Sequence, residues 1–286
     1  MTTTPDTRDH GLLGQLRITR RALVLAWTFA SYGLFETACR TVLGPDLERV
    51  LTIIRHGCLS LLEPMGVVMH VYGTAPKGAL LVSNHCSYID IVVIGSNTGT
   101  TYLAKSEVAD WPIIGQTSTA VGTVYVDRTS AESRRASRIR VRERIAQGVN
   151  ITVFPEGTTT AGPSTLDFRP GTFATAVDAG VPVVPVAIAY HDPRDAWIGD
   201  DGFLEHFTKQ FRRPRVDVSV SFGPPIASDD VEELRLAAQT WVRQELARLH
   251  GIIGTPYDLI APEDRIDTPT APPTQPTTAS LEHQPA

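Results

Sequence analysis

Short runs of apolar residues alternate with longer amphipathic stretches through the middle and the C-terminal half of the chain. Apolar runs of about four to eight residues bounded by turn residues are typical of buried strands, and the amphipathic stretches between them predict helices. Strands that alternate with helices indicate an α/β fold with a mostly parallel, helix-covered sheet. The predicted strands are 67–72, 79–83, 101–104, 123–126, 150–154, 182–190 and 215–222, and the predicted helices are 88–97, 130–147, 170–179 and 229–249.

Two further apolar segments precede this pattern. The first, residues 23–35, follows a group of arginines at 17–21 and is shorter than the roughly 20 residues that span a bilayer. The second, residues 50–62, carries polar residues at helical spacing and predicts an amphipathic helix. Two such helices favour an anchor that lies in the membrane interface with its arginines towards anionic head groups, although both helices could instead simply cover the sheet.

These patterns divide the chain into three parts. Residues 1–64 are predicted to be an N-terminal arm with membrane-associated helices, and residues 65–254 the α/β domain. Residues 255–286 contain seven prolines among threonines and too few apolar residues to bury a core. We therefore expect this last segment to be disordered.

Composition and charge narrow the possible functions. The chain has 286 residues, of which 42% are hydrophobic and 20% are charged, as in an ordinary globular protein. Its formal net charge of −5 argues against a dedicated nucleic-acid binder. Cys39, Cys58 and Cys86 lack metal-ligand spacing and cannot all pair, which favours a reducing compartment. The histidines likewise show no ligand spacing to one another, so no metal site is predicted.

The most informative polar residues lie where the strand 79–83 leads into the next helix. His85 and Asp90 are five residues apart, which on one ideal helix would turn them about 140° away from each other. If Ser87 caps the helix, however, His85 lies in the incoming loop and can fold back towards Asp90. The carboxylate would then fix one ring nitrogen and leave the other to act as a general base. Ser87 and Asp90 also fit a capping box, in which Asp90 only satisfies backbone donors, and the residues alone do not separate these interpretations.

Two other strands bring polar residues to the same predicted edge of the sheet. Arg128 follows the fourth strand and could hold a phosphate through paired hydrogen bonds, or be a surface cation that is solvated or paired with Asp127. Glu156 and Gly157 follow the fifth strand, where the sequence Pro-Glu-Gly forces a turn. Glu156 could orient a hydroxyl group, pair with Arg128, or be a turn residue in a solvated loop.

Four blocks of this chain resemble those of the glycerolipid acyltransferases, the lysophosphatidic acid acyltransferase family. They occur in the family's order: Asn84-His85 with Asp90 as the NHxxxxD motif, the segment that ends in Arg128, residues 154–158, and residues 181–185. The resemblance covers about residues 67–225. Four ordered blocks are far more specific than any one of these short motifs.

The resemblance implies transfer of a fatty acyl group from acyl-coenzyme A or acyl-carrier protein to the hydroxyl of lysophosphatidic acid, which gives phosphatidic acid in phospholipid biosynthesis. It implies a His85 base oriented by Asp90, no covalent acyl-enzyme, no cofactor and no metal. It also implies association with the cytoplasmic face of a membrane. The substrate-binding residues that it implies are Asn84, Arg128, Glu156, Gly157 and Thr158. Members with the same motifs acylate lyso-ornithine lipid or other lysolipids, so such an acceptor is the alternative.

Two other classes of protein compete with an acyltransferase. A serine esterase or lipase is disfavoured because the chain lacks a G-x-S-x-G nucleophile elbow. A non-enzymatic lipid-binding protein would keep the membrane helices and the sheet, and would use His85 and Asp90 only as structural residues.

Overall fold

The computed structural model describes residues 11–253, except residues 45, 111–114, 116–117, 120–121 and 199–201. Within these residues, seven strands form one sheet that is accompanied by seven α-helices. The strands are β1 (Val67–Tyr72), β2 (Leu80–Ser83), β3 (Thr101–Lys105), β4 (Val124–Val126), β5 (Ile151–Val153), β6 (Val183–Tyr190) and β7 (Val216–Phe222). The helices are α1 (Leu12–Leu43), α2 (Leu47–Met65), α3 (Ile89–Thr98), α4 (Ala131–Ala146), α5 (Gly171–Ala179), α6 (Phe203–Arg212) and α7 (Val231–Ile253).

The sheet confirms the predicted α/β class, and each strand begins and ends within one residue of its prediction. Its order is β1-β7-β6-β2-β5-β3-β4. β6, β2, β5, β3 and β4 run parallel, whereas β7 is antiparallel to β6 and β1 is parallel to β7. The carboxyl ends of five parallel strands therefore meet at one edge of the sheet, which we call the carboxyl edge. The loops that carry His85, Glu156 and Arg128 all begin there.

α1 is much longer than the apolar run at 23–35. It extends over 32 residues, or about 48 Å. By length and composition it is the one helix of the described residues that can cross a membrane, and 6% of its most apolar window is buried. The prediction that this segment is too short to span a bilayer was wrong, because the helix continues through its polar flanks. Its low burial does not fit the core helix of a soluble protein, whereas a signal sequence meets the same test of length and composition.

Two of the N-terminal arginines contact the protein itself. The guanidinium group of Arg21 donates to three carbonyl groups within 211–214, at 2.7–3.1 Å, and Arg17 donates to the carbonyl of Arg212 at 3.0 Å. These carbonyls belong to the end of α6 and the following turn, where the helix dipole favours cations. The prediction that these arginines face lipid head groups is therefore wrong for Arg17 and Arg21, which join α1 to α6.

α6 is the one long helix of the described chain that the sequence pattern did not predict. Its phenylalanines Phe203, Phe207 and Phe211 lie four residues apart on one face, and consecutive ring centroids are 5.8 and 4.1 Å apart. Tyr88, from the loop after β2, contacts Phe203 edge to face with centroids 5.2 Å apart. α6 therefore packs against the loop that carries His85, and its i, i+4 aromatic spacing is the signal that could have revealed it.

The N-terminal helices and the sheet share one hydrophobic core. Leu61 and Met65, at the end of α2, are buried with residues of β1, β7, β6 and α3. α2 ends at Gly66, whose φ of 75° is the left-handed conformation that favours glycine. β1 follows at once, so α2 is fixed directly to the sheet. Residues 255–286, predicted to be disordered, lie outside the described residues.

Candidate active site

His85 and Asp90 are in contact at the carboxyl edge. Nδ1 of His85 lies 2.8 Å from Oδ2 of Asp90, and Asp90 is fully buried. The same Oδ2 accepts hydrogen bonds from the backbone N–H groups of Cys86 and Ser87, at 2.7 and 2.9 Å. Asp90 therefore does more than satisfy backbone donors, because the oxygen that accepts from them also contacts the imidazole. The helix begins one residue later than expected, with Tyr88 rather than Ser87 as its N-cap.

The second ring nitrogen of His85 is available for proton transfer. The imidazole stacks on Phe154 with centroids 3.9 Å apart, and 20% of the side chain is exposed. Within the described residues, Nε2 has no hydrogen-bond partner. A histidine whose Nδ1 is held by a carboxylate and whose Nε2 is accessible has the arrangement of a general base.

Asn84 connects the His85 loop to β6. Its side-chain nitrogen donates to the carbonyl of Ile188 at 2.8 Å, and its side-chain oxygen accepts from the N–H of Ile188 at 2.8 Å. The side chain is buried. Asn84 was predicted to bind substrate, but both of its polar atoms are used to hold the loop on the sheet.

Glu156 connects the loop after β5 to the His85 loop. One carboxylate oxygen accepts from the backbone N–H of His85 at 2.9 Å, and the other accepts from the Thr160 hydroxyl and the Leu166 N–H. Burial raises the pKa of Glu156 to about 7. Glu156 is therefore neither a solvated turn residue nor an ion-pair partner of Arg128. Glu156 holds the backbone of His85 in place through its N–H. The Thr160 N–H does the same from the other side of the residue, because it donates to the His85 carbonyl at 2.7 Å.

Arg128 has a cationic neighbour that the sequence motifs did not place beside it. Gly157 has φ 76°, and a Cβ built there would lie 2.9–3.1 Å from the guanidinium atoms of Arg169. The left-handed φ favours glycine at position 157, and a side chain there would displace the guanidinium group of Arg169. Partial desolvation lowers the pKa of Arg128, the charge of Arg169 lowers it further, and Glu107 opposes both effects. Both arginines and Thr158 are exposed, so two cations face solvent at the carboxyl edge.

We call His85, Asp90 and Tyr190 the base side of the site, and Arg128, Gly157 and Arg169 its arginine side. The Tyr190 hydroxyl, at the end of β6, donates to Oδ1 of Asp90 at 2.7 Å. Sequence motifs missed Tyr190, because it lies 100 residues from its partner. The order of the sheet separates β2 from β4 by three strand spacings, about 14 Å. The strand β5 lies between β2 and β4, and the side chain of Arg169 lies against Gly157 in the turn that follows β5.

Cys86 and a histidine cluster have structural explanations. Cys86 is buried, and burial raises the pKa of its thiol well above the usual value, which disfavours a nucleophile. His70, His191 and Asp217 place ligand atoms within 4.8 Å of one another, a grouping across three strands that sequence spacing did not reveal. However, Arg215 already donates to both oxygens of Asp217.

Comparisons with known proteins place this site in a family. The family model described as Acyltransferase matches residues 67–189, which include the His85, Arg128 and Glu156 loops. The lyso-ornithine lipid O-acyltransferase of Pseudomonas aeruginosa is 37% identical over 193 residues, which cover 65% of this chain and 73% of that protein. The chain belongs to the lysolipid O-acyltransferase family. It is therefore an enzyme that uses an acyl donor and a lysolipid acceptor, which excludes the non-enzymatic alternative and the esterase.

Two further proteins are similar to this O-acyltransferase, one in sequence and one in fold. The 1-acyl-sn-glycerol-3-phosphate acyltransferase of Neisseria gonorrhoeae is 34% identical over 117 residues, which cover 41% of this chain and 46% of that protein. The crystal structure of the 1-acyl-sn-glycerophosphate (LPA) acyltransferase PlsC from Thermotoga maritima matches with a TM-score of 0.60 and 22% identity, over 82% of this chain and 97% of that one. At that identity the likeness establishes the fold alone.

Proposed function

We propose that this O-acyltransferase transfers a fatty acyl group to the hydroxyl of lyso-ornithine lipid. The observation that carries this proposal is the extent of similarity. The lyso-ornithine lipid relative is matched over 73% of its length, whereas the glycerol-phosphate relative is matched over 46%. The acceptor thus differs from the lysophosphatidic acid first expected from the motifs, which becomes the second candidate.

The proposed chemistry uses His85 as general base. Nε2 accepts the proton of the acceptor hydroxyl while its oxygen attacks the thioester carbonyl carbon of the donor. The new C–O bond forms, the C–S bond breaks, and the imidazolium returns its proton to the thiolate leaving group. Asp90 stabilises the imidazolium through Nδ1. A thioester is reactive enough that neither an acyl-enzyme nor a metal is required.

We assign the anionic group of the acceptor to Arg128 and Arg169. Two exposed guanidinium groups suit a carboxylate or a phosphate, since each can donate paired hydrogen bonds. Glu107 is close enough to Arg128 to raise its pKa. Such a mixed-charge surface suits the head group of an ornithine lipid, because ornithine offers both a carboxylate and an amine. Gly157 keeps this surface open, and Thr158 lies exposed beside it.

We further propose that α1 associates the enzyme with the cytoplasmic face of a membrane. Its apolar side chains Leu23, Trp27 and Leu34 are 65–74% exposed. Their exposure to water would be unfavourable, whereas a lipid phase would cover them. Residues 1–64 would then hold the α/β domain, residues 65–254, at the surface from which the acceptor is drawn.

Release of free thiol from the donor tests this function. The purified enzyme would be given an acyl-coenzyme A or an acyl-carrier protein, with lyso-ornithine lipid or lysophosphatidic acid as the acceptor. We expect faster release with lyso-ornithine lipid and at least one donor. Faster release with lysophosphatidic acid would overturn the acceptor and keep the chemistry, and no release with any of the four combinations would overturn both.

A further inference from the structure

The Tyr190 hydroxyl is linked to the catalytic histidine through a single carboxylate. Oδ1 of Asp90 accepts its hydrogen bond, whereas Oδ2 accepts three, from His85 and two backbone N–H groups. Within the described part of the chain, Tyr190 is the one donor to Oδ1. Both side chains are buried, so bulk water is not in contact with that oxygen.

A buried carboxylate depends on protein donors for the stabilisation of its charge. Tyr190 and His85 donate to the two oxygens of one carboxylate, so each reduces the negative charge available to the other. The tyrosine remains a donor at every working pH, because burial, followed by the charge of Asp90, raises the pKa of Tyr190 well above its ordinary value. The hydrogen bond is therefore a permanent part of the site.

We propose that Tyr190 is a positioning residue for the acyl transfer. Its hydroxyl holds the plane of the Asp90 carboxylate and limits how strongly that carboxylate stabilises protonated His85. The inference rests on the proposed role of His85 as base. It gives a role in the chemistry to the end of β6, the strand that begins within the fourth motif block.

Loss of the Tyr190 hydroxyl should shift the pH profile of the enzyme in one direction. Without a donor at Oδ1, the negative charge of Asp90 acts more strongly on the imidazolium of His85. The protonated form of His85 should then be stabilised more strongly relative to the neutral base. The acidic limb of the pH profile of kcat/KM should accordingly move to higher pH.

Tyr190→Phe tests this, with Tyr102→Phe as the matched control. Tyr102 is also buried, and its hydroxyl donates to the carbonyl of Ile91 in α3 at 2.6 Å. We expect Tyr190→Phe to lower kcat/KM about 10- to 100-fold, by analogy with the loss of a hydrogen-bond partner that orients a metal ligand. Its acidic limb should shift upward while the acceptor KM stays near the wild-type value. The limb of Tyr102→Phe should stay at the wild-type pH.

The control variant His85→Ala, in the same assay, separates the possible failures. An active His85→Ala would contradict the general base itself. An inactive His85→Ala, together with a Tyr190→Phe limb at the wild-type pH, would overturn only the role of Tyr190. If Tyr190→Phe does not fold, fluorotyrosine at position 190 keeps the side chain and makes its hydroxyl a stronger donor. The limb should then move to lower pH, and an unmoved limb would also overturn the inference.

Discussion

The base side and the arginine side of the carboxyl edge are held in opposite ways. On the base side, Asp90 and Tyr190 are buried, and each of their side-chain oxygens has a partner in the protein. Arg128 and Arg169 are exposed and near each other, with like charges. In the proposed mechanism, the fold therefore fixes the geometry of proton transfer before substrate arrives. Recognition of the acceptor would depend on a few long side chains that can adapt to the head group.

The largest expected effect comes from removing the charge of the base side. Asp90→Asn keeps the shape of the side chain but removes the negative charge that stabilises the imidazolium. We expect turnover to fall about 10³- to 10⁴-fold, as in other histidines that lose their carboxylate. Thiol release measures this, and the acceptor KM should change little.

The melting temperature provides the control for Asp90→Asn. Oδ2 accepts from backbone N–H groups as well as from His85, so some loss of stability is expected in addition. Turnover within a few-fold of wild type would mean that Asp90 acts only as a helix cap. The base side would then not be organised for proton transfer.

On the arginine side, we expect an effect on binding rather than on turnover. Arg169→Ala should raise the acceptor KM about 10-fold or more, the cost of one charge-assisted hydrogen bond, with kcat nearly unchanged. Arg135→Ala, which removes an exposed arginine of α4, is the matched control for net charge. Equal KM values for the two variants would show that Arg169 does not bind the anionic group of the acceptor.

The smallest effect concerns Glu156, which lies between the two sides. Burial raises its pKa from 4.5 to about 7. Between these pH values, the folded protein keeps a proton that the unfolded chain has released, so this group makes stability fall as pH rises. The loss is at most about 1.4 kcal/mol per pH unit.

Glu156→Gln should remove this part of the pH dependence. Glutamine does not titrate, and its carbonyl oxygen can still accept from the His85 N–H. Urea unfolding at several pH values between 5 and 8 measures the free energy of unfolding of both proteins. An identical slope for the variant and the wild type would show that Glu156 is ionised throughout this range.

Local patterns in the sequence were sufficient for the strands and for the His85–Asp90 pair. The strands are apolar runs between turns, and the pair lies within one loop and one helical turn, so five residues of sequence determine the contact. α6 has only three phenylalanines, four residues apart, on its apolar face, and this short pattern lies among polar residues. α1 was judged too short because only its most apolar portion was counted.

Contacts between distant segments could not be read from the sequence in the same way. Tyr190 meets Asp90 because β6 lies next to β2, and Arg169 lies against Gly157 because its backbone N–H donates to Pro155 in the turn after β5. Strand order and register decide such contacts, and no local spacing encodes them. For the same reason Glu156 is predicted from the motif as a substrate ligand, whereas its carboxylate accepts from the His85 N–H, the Thr160 hydroxyl and the Leu166 N–H.

The most direct test of the account is thiol release by wild type and His85→Ala, with lyso-ornithine lipid as the acceptor. We predict a loss of about 10²- to 10⁴-fold in turnover, the usual value of a positioned base, with an unchanged melting temperature and acceptor KM. A folded His85→Ala enzyme that releases thiol at nearly the wild-type rate would contradict the proposed chemistry.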